Sequence, residues 1–275
     1  MSSLAQRSLA CQQRALAEGA LVPLATELLD SSPWHPFQVR RLLSATPKHL
    51  HAPGPKPNPF QPWDRRLEVF GLDRHVVLLN KYPVEPGHLL LITRDWQHQG
   101  GWLNRDDWGA VAALWGQQSG LWFFNSGPEA GASQPHRHLQ LLPRRPGQQP
   151  CPLAGQFLQA LESGVTPWPW QLGLRPLDPS QPPSAETLAA IYGELAGAQG
   201  LGSPRLDASP QRPYNLLITP SWFALVPRRL EGHGGFSLNA LAYGGYLLAT
   251  ENSDVAWLAQ QGPLALLAEA ALPRP

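Results

Sequence analysis

Residues 121–142 read LWFFNSGPEAGASQPHRHLQLL, and the stretch divides on physical grounds into three parts. Leu121 to Asn125 is an apolar run of strand length. Ser126 to Ser133 gathers glycine, proline and serine into a loop. Pro135 to Leu142 is a second strand. Side chains two apart on a strand share a face, so His136, His138 and Gln140 line one surface. The loop before them supplies Gly131, which permits close backbone approach to a ligand. It also supplies Ser133 and Gln134 as donors and a run of backbone N–H groups able to form an anion-binding concavity. An imidazole is largely unprotonated at neutral pH and is then a nucleophile; attack on a phosphoryl group gives a phosphoramidate that can pass the group on. Taken alone, a His-x-His pair fits a metal site or a surface pair as well. The neighbouring residues are poor zinc ligands, since only Glu129 lies close in sequence.

Working outward, HVVLLN (75–80) and HLLLIT (88–93) read as buried strands joined by the proline-rich turn 81–87. Residues 4–30 read as helix on leucine spacing, and 104–117 as a helix capped by Asn104. Further helices are expected at 153–163, 184–198 and 255–271, the last interrupted at Gly262-Pro263. YNLLIT (214–219) and WFALVP (222–227) make a hairpin. Strands in hairpin-like pairs with helices between predict an α+β fold with a mainly antiparallel sheet. Residues 1–164 read as the catalytic region, 165–211 as a Pro-rich linker or insertion containing a helix, and 212–275 as a C-terminal region on the same core.

Composition narrows the function. The 275 residues carry 21 Lys and Arg against 20 Asp and Glu, a net charge of +1, which gives no reason to expect a nucleic-acid partner. Cys11 and Cys151 cannot build a cysteine-rich zinc site, and no protein-bound metal site is expected. No run of about 18 apolar residues suggests a membrane span, and residues 1–20 do not resemble a signal peptide. A cytoplasmic location with free thiols follows as the expectation.

The block Asn125-Ser126-Gly127-Pro128…Gly131-Ala132-Ser133-Gln134-Pro135-His136-Arg137-His138-Leu139-Gln140 resembles the signature of the diadenosine tetraphosphate phosphorylases (ATP adenylyltransferases). These form the H-x-H-x-Q branch of the histidine triad superfamily. Leu79 to His88, Pro213 to Leu216 and Asn239…Gly245 to Leu248 are similar to further blocks of that family. The resemblance implies a histidine-triad-like sheet flanked by helices, with a C-terminal extension carrying a hairpin. It implies a nucleotidyltransferase that releases ATP from diadenosine tetraphosphate, forms an adenylyl-histidine, and passes the adenylyl group to phosphate to give ADP. His138 matches the nucleophile, and His136 and Gln140 its catalytic flanks, Gln140 also touching phosphate. Gly131, Ala132, Ser133 and Gln134 match the phosphate loop, Asn125 a substrate-binding asparagine, and Asn80 and Lys81 the nucleotide-side pair. Asn239 matches a further substrate contact. A phosphate-binding lysine in the proline loop is assigned to Lys48, with Lys56 as the alternative. Mg2+ is implied as a substrate-associated ion. A dinucleoside polyphosphate hydrolase and an ADP/sulfate adenylyltransferase are the alternatives. The chain departs from the family at Ala240, Tyr246 and Thr250, where serine, methionine and lysine are usual. Trp63 is expected near the adenine, and His233 in a flexible segment able to close over a ligand.

Overall fold

The computed structural model describes residues 3–30, 32–44, 58–145 and 147–274. Helix α1 (Leu4–Ala17) starts at Ser3, which forms a reciprocal capping box with Gln6. It ends well short of residue 30. Gly19 takes φ +65° there, and the backbone N–H groups of residues 19–21 turn back onto Ala15 and Leu16. Two short strands follow, β1 (Thr26–Leu28) and β2 (Gln38–Leu42). Strand β3 (Glu68–Gly71), which the sequence does not single out, precedes the two apolar runs, which give β4 (His75–Leu79) and β5 (Leu89–Thr93). Helix α2 (Arg105–Trp115) is capped by Asn104 as the sequence predicts. Strands β6 (Gly120–Asn125) and β7 (His138–Pro143) flank the glycine loop.

The chain continues through α3 (Ala154–Ser163), β8 (Gly173–Pro176) and α4 (Ala185–Ala198). The hairpin β9 (Tyr214–Ile218) and β10 (Trp222–Pro227) is present, followed by the small hairpin β11 (Gly232–His233) and β12 (Phe236–Ser237). The apolar stretch 237–250 resolves into the one-turn helix α5 (Ala240–Tyr243) and β13 (Tyr246–Ala249). Helix α6 (Val255–Ala270) is kinked at Gly262, φ +81°, ahead of Pro263. That is where the sequence places its interruption, because proline lacks the N–H to continue the ladder.

Eight strands form one sheet in the order β3-β4-β5-β7-β6-β9-β10-β8, with every neighbouring pair antiparallel. A second sheet, β1-β2-β13, contains a parallel β2–β13 pair. The segment 165–211, read above as a connector with a helix, also supplies the edge strand β8, and α4 packs on the large sheet. The sheet is therefore shared by residues on both sides of positions 164 and 211.

The two faces of the large sheet are covered differently. One face presents Val77, Leu79, Leu91, Trp122, Phe124, Leu139, Leu141 and Leu216 to α1, α2 and α4. On the other face, Leu121, Phe123, Leu142, Leu217 and Trp222 pack under α3, α5 and α6. A separate cluster on that face joins Val76, Leu78, Leu90 and Ile92 to Phe60. At ~1.5–3 kcal/mol per fully buried large apolar side chain, both coverings hold the strands in place. Between the two clusters the face turns polar: His88, His138 and Gln140 stand there, where alternation on β5 and β7 puts them.

Candidate active site

His138 opens strand β7 and is only 4% exposed. Its Nδ1 lies 2.8 Å from the carbonyl oxygen of His136. A carbonyl can only accept, so Nδ1 carries the proton and Nε2 keeps its lone pair. Nε2 has no partner among the described residues. The phenyl ring of Phe60 stands 5.6 Å away, centroid to centroid. Burial holds the imidazole down to a pKa of about 4, so the ring is neutral at physiological pH.

His136, two residues earlier, lies outside the regular strand and forms an isolated antiparallel bridge with His98. The strand expected from 135 thus begins at 138 on its ladder. Asn58 Nδ2 donates to His136 Nδ1 at 2.9 Å, so Nε2 bears the proton and donates to Thr93 O at 2.8 Å. Both ring nitrogens are engaged; His136 supplies its carbonyl to His138 and its ring to the fold. Trp96, half exposed, places its ring 5.4 Å from that of His136.

Gln140 is oriented by a relay that sequence reasoning passed over. Asn80 Nδ2 donates to His88 Nδ1 at 3.1 Å, and His88 Nε2 donates to Gln140 Oε1 at 2.9 Å. The carboxamide oxygen is thereby held, and the Nε2 donors of Gln140 have no partner among the described residues. Burial pushes the His88 pKa to about 4, which keeps this ring neutral as well. The signal for His88 was its spacing: it stands two and four residues before Leu90 and Ile92, on the face shared with His138.

Asn125 repeats the device. Its Oδ1 accepts from Asn215 Nδ2 at 2.9 Å and from the N–H of Ala240 at 2.8 Å, leaving its own amide nitrogen without a partner among the described residues. Asn215 is fixed by Arg228, a buried cation whose guanidinium donates to Asn215, Ala270, Leu230, Glu231 and Leu238 oxygens. Asn215 lies in the block 213–216 noted above but had no role assigned there, and Arg228 could not be picked out from sequence, because it belongs to no local motif.

The glycine loop is a built turn. Gly131 takes φ +83°, and a Cβ there would come within 2.5 Å of Leu238 O and 2.8 Å of Asn239 Cα. Only glycine fits. The N–H groups of Gly131 and Ala132 donate to Pro128 O at 2.8 Å and Gly127 O at 3.0 Å. They are spent inside the loop, whereas the N–H groups of Ser133 and Gln134 make no hydrogen bond among the described residues. Asn239 caps α5 through Leu241 N and lies against Gly131. Lys81 is exposed beside the ring of Tyr82. Lys48 and Lys56 lie outside the described residues. Trp63 packs with Phe60 and is tied to Glu68 through its indole N–H at 2.8 Å. His233 sits in the β11–β12 hairpin with its ring 4.9 Å from that of Trp257.

Amides and imidazoles dominate this surface, a donor set suited to an anion and unlike the oxygen cage of a hard divalent cation. No group of three or more His, Cys, Asp or Glu side chains among the described residues could hold a metal ion. No helix among them is long and apolar enough to cross a membrane.

The two depressed imidazoles make stability depend on pH. Free histidine titrates near 6.5, so between about pH 6.5 and 4 the unfolded chain binds protons that native His88 and His138 refuse. Their contribution is fully present above pH 6.5 and is lost as pH falls toward 4. Tm is expected to drop across that window, with a shallower slope in His138→Ala; a Tm independent of pH from 6.5 to 4 would contradict this.

Residues 1–159 match the family described as Ap4A phosphorylase N-terminal domain, and 166–273 match ATP adenylyltransferase C-terminal domain. Protein APA1 of Saccharomyces cerevisiae is 31% identical over 206 residues, 65% of this chain and 62% of that protein. The matched stretch thus spans about three fifths of that relative. Diadenosine 5',5'''-P1,P4-tetraphosphate phosphorylase 2 of the same yeast is 26% identical over 234 residues, 72% of this chain and 70% of its own length. Crystal structures of yeast Ap4A phosphorylase Apa2, one with AMP and one with Ap4A, superpose with a TM-score of 0.74 at 23% identity. Each alignment covers 100% of this chain and 99% of that one. At that identity the likeness speaks for the fold: α+β, one large antiparallel sheet with flanking helices.

Proposed function

The chain belongs to the Ap4A phosphorylase and ATP adenylyltransferase family, and from that premise we propose that it catalyses the reversible phosphorolysis of diadenosine tetraphosphate to ATP and ADP. The observation that carries the reading is the state of His138: Nδ1–H is held by the His136 carbonyl, and Nε2 is unprotonated and without a partner among the described residues, on the sheet face that also carries the Gln140 amide.

In the first step the Nε2 lone pair forms a bond to the α-phosphorus, and the bond from phosphorus to the bridging oxygen breaks. ATP leaves with the electron pair. The adenylylated ring carries positive charge, which the Nδ1–H···O=C contact to His136 stabilises without moving a proton. In the second step an oxygen of inorganic phosphate attacks the same phosphorus, the P–N bond breaks to restore the neutral ring, and ADP departs. Gln140 Nε2 donates to the non-bridging oxygens, with its own oxygen held back by His88. Asn125 Nδ2 and the N–H groups of Ser133 and Gln134 are the other donors aimed at phosphate. Asn80, Lys81 and Asn239 serve the nucleotide side. Lys48 or Lys56 is the expected cation for the polyphosphate. A substrate-associated Mg2+ would lower the polyphosphate charge that Gln140, Asn125 and the N–H groups of Ser133 and Gln134 must face.

The test is product identification. With diadenosine tetraphosphate, phosphate and Mg2+ the protein should yield equal amounts of ATP and ADP, and turnover should stop when phosphate is omitted. ATP and AMP appearing without phosphate would make it a hydrolase. Turnover with sulfate in place of phosphate would widen the acceptor class.

A further inference from the structure

The ladder between β6 and β7 pairs Gly120 with Pro143, Leu121 with Leu142, Trp122 with Leu141 and Phe123 with Gln140. Continued in register, Asn125 would pair with His138. That rung is absent. In its place lies the side chain of Gln99, 1% exposed. Its Oε1 accepts the His138 N–H at 2.8 Å. Its Nε2 donates to Asn125 O at 2.7 Å and to His138 O at 3.2 Å. The backbone around it follows suit: Gln99 N–H donates to Pro135 O, and Arg137 N–H donates to Gln97 O, each at 2.8 Å. The segment 97–99 has taken over from β6 as the partner of residues 135–137.

A carboxamide has the donor and acceptor of a peptide group, so it can be spliced into a ladder as an extra peptide unit. Splicing it here prises β6 and β7 apart at one end only. The wedge falls between Asn125, where the glycine loop departs, and His138, where β7 resumes. On their outer sides both strands stay paired, β6 with β9 through Asn125 and Asn215, and β7 with β5 through Ile92 and His138. The gap is thus a local feature, held by three hydrogen bonds to one buried side chain.

Resting on the adenylyl-transfer reading above, we propose that Gln99 is a positioning residue. It sets the distance and angle between the His138 imidazole and the Asn125 amide by fixing the backbone of both, and touches no substrate itself. Losing it would let the strands close toward a direct rung and swing Nε2 away from the phosphorus. A displacement of about 1 Å at a reacting atom is worth on the order of 10²-fold in rate.

Two variants test this. Gln99→Ala removes the wedge, and Gln99→Met keeps its length without its hydrogen bonds. In single-turnover assays with diadenosine tetraphosphate, both should form the adenylyl adduct about 10²-fold more slowly than wild type. The substrate concentration giving half-maximal rate should stay within about threefold. In the ligand-free protein, the His138 amide should exchange with solvent much faster, and its imidazole nitrogen shifts should move, with melting still cooperative. A folded variant with unchanged adduct rate and unchanged His138 signals would overturn the proposal. So would equal losses in rate and binding, or failure of both variants to fold, since either assigns Gln99 to general stability. Absence of any adduct on the wild type would instead sink adenylyl transfer, while the ligand-free measurements would still decide the positioning.

Discussion

His138→Ala is expected to lose phosphorolysis by at least about 10⁴-fold, the scale on which removal of a covalent nucleophile is felt. No neighbour can substitute. His136 has both ring nitrogens engaged, by Asn58 and by Thr93, and His88 is spent between Asn80 and Gln140. The change should leave the fold in place, because the contacts that anchor this position to Gln99 run through backbone N–H and C=O. The measurement is steady-state turnover alongside acid-quench trapping with substrate labelled in the adenosine α-phosphate. Wild type should carry an acid-labile adduct that the variant lacks. Turnover within tenfold of wild type, or an adduct on the variant, would remove His138 from its role.

Asp107→Ala is expected to cost about 3–5 kcal/mol of stability, the range for breaking a buried charge pair from one side. Asp107 has no exposed surface. Its Oδ1 lies 2.9 Å from His75 Nε2 and its Oδ2 3.1 Å from Arg137 Nη1, and Oδ2 also accepts the N–H of Asn104 at 2.8 Å. One carboxylate thus closes the capping box of α2 and neutralises the arginine that stands between His136 and His138. Arg137 Nε already lacks a partner among the described residues, so removing Asp107 leaves a buried guanidinium held only by the His98 carbonyl. For a chain of this size the loss corresponds to a Tm drop on the order of 10 °C. Asp107→Asn, which keeps an acceptor for the cap, should fall between the two. Calorimetry decides it; a Tm within about 2 °C of wild type for the alanine variant would show the pair contributes little.

These two residues differ in how they could be found. His138 announces itself locally, through alternation with His136 and Gln140 and through the loop that precedes it. Asp107 reads as an ordinary first-turn carboxylate of a helix, and His75 as a strand residue without a motif. Their meeting with Arg137 depends on α2 lying across the back of β7 and β4. The same holds at the site itself. Asn125, His138 and Gln140 come from one 22-residue stretch, but what aims each amide comes from far away: His88 for Gln140, Asn215 and Ala240 for Asn125.

The parts whose physics is local were legible along the chain. Period-two alternation put His138 and Gln140 on one face, Asn104 capped α2, Gly262-Pro263 broke α6, and glycine at 131 met a backbone angle only glycine takes freely. These depend on covalent geometry and on neighbours within a few residues. The tertiary structure alone decided that residues 173–176 become an edge strand, that the ladder opens at Gln99, and which groups hold the His136 ring. Those outcomes depend on which distant backbone groups arrive at a buried polar atom. Burial leaves each such atom only the partners the fold brings to it, and no spacing along the chain records which they are.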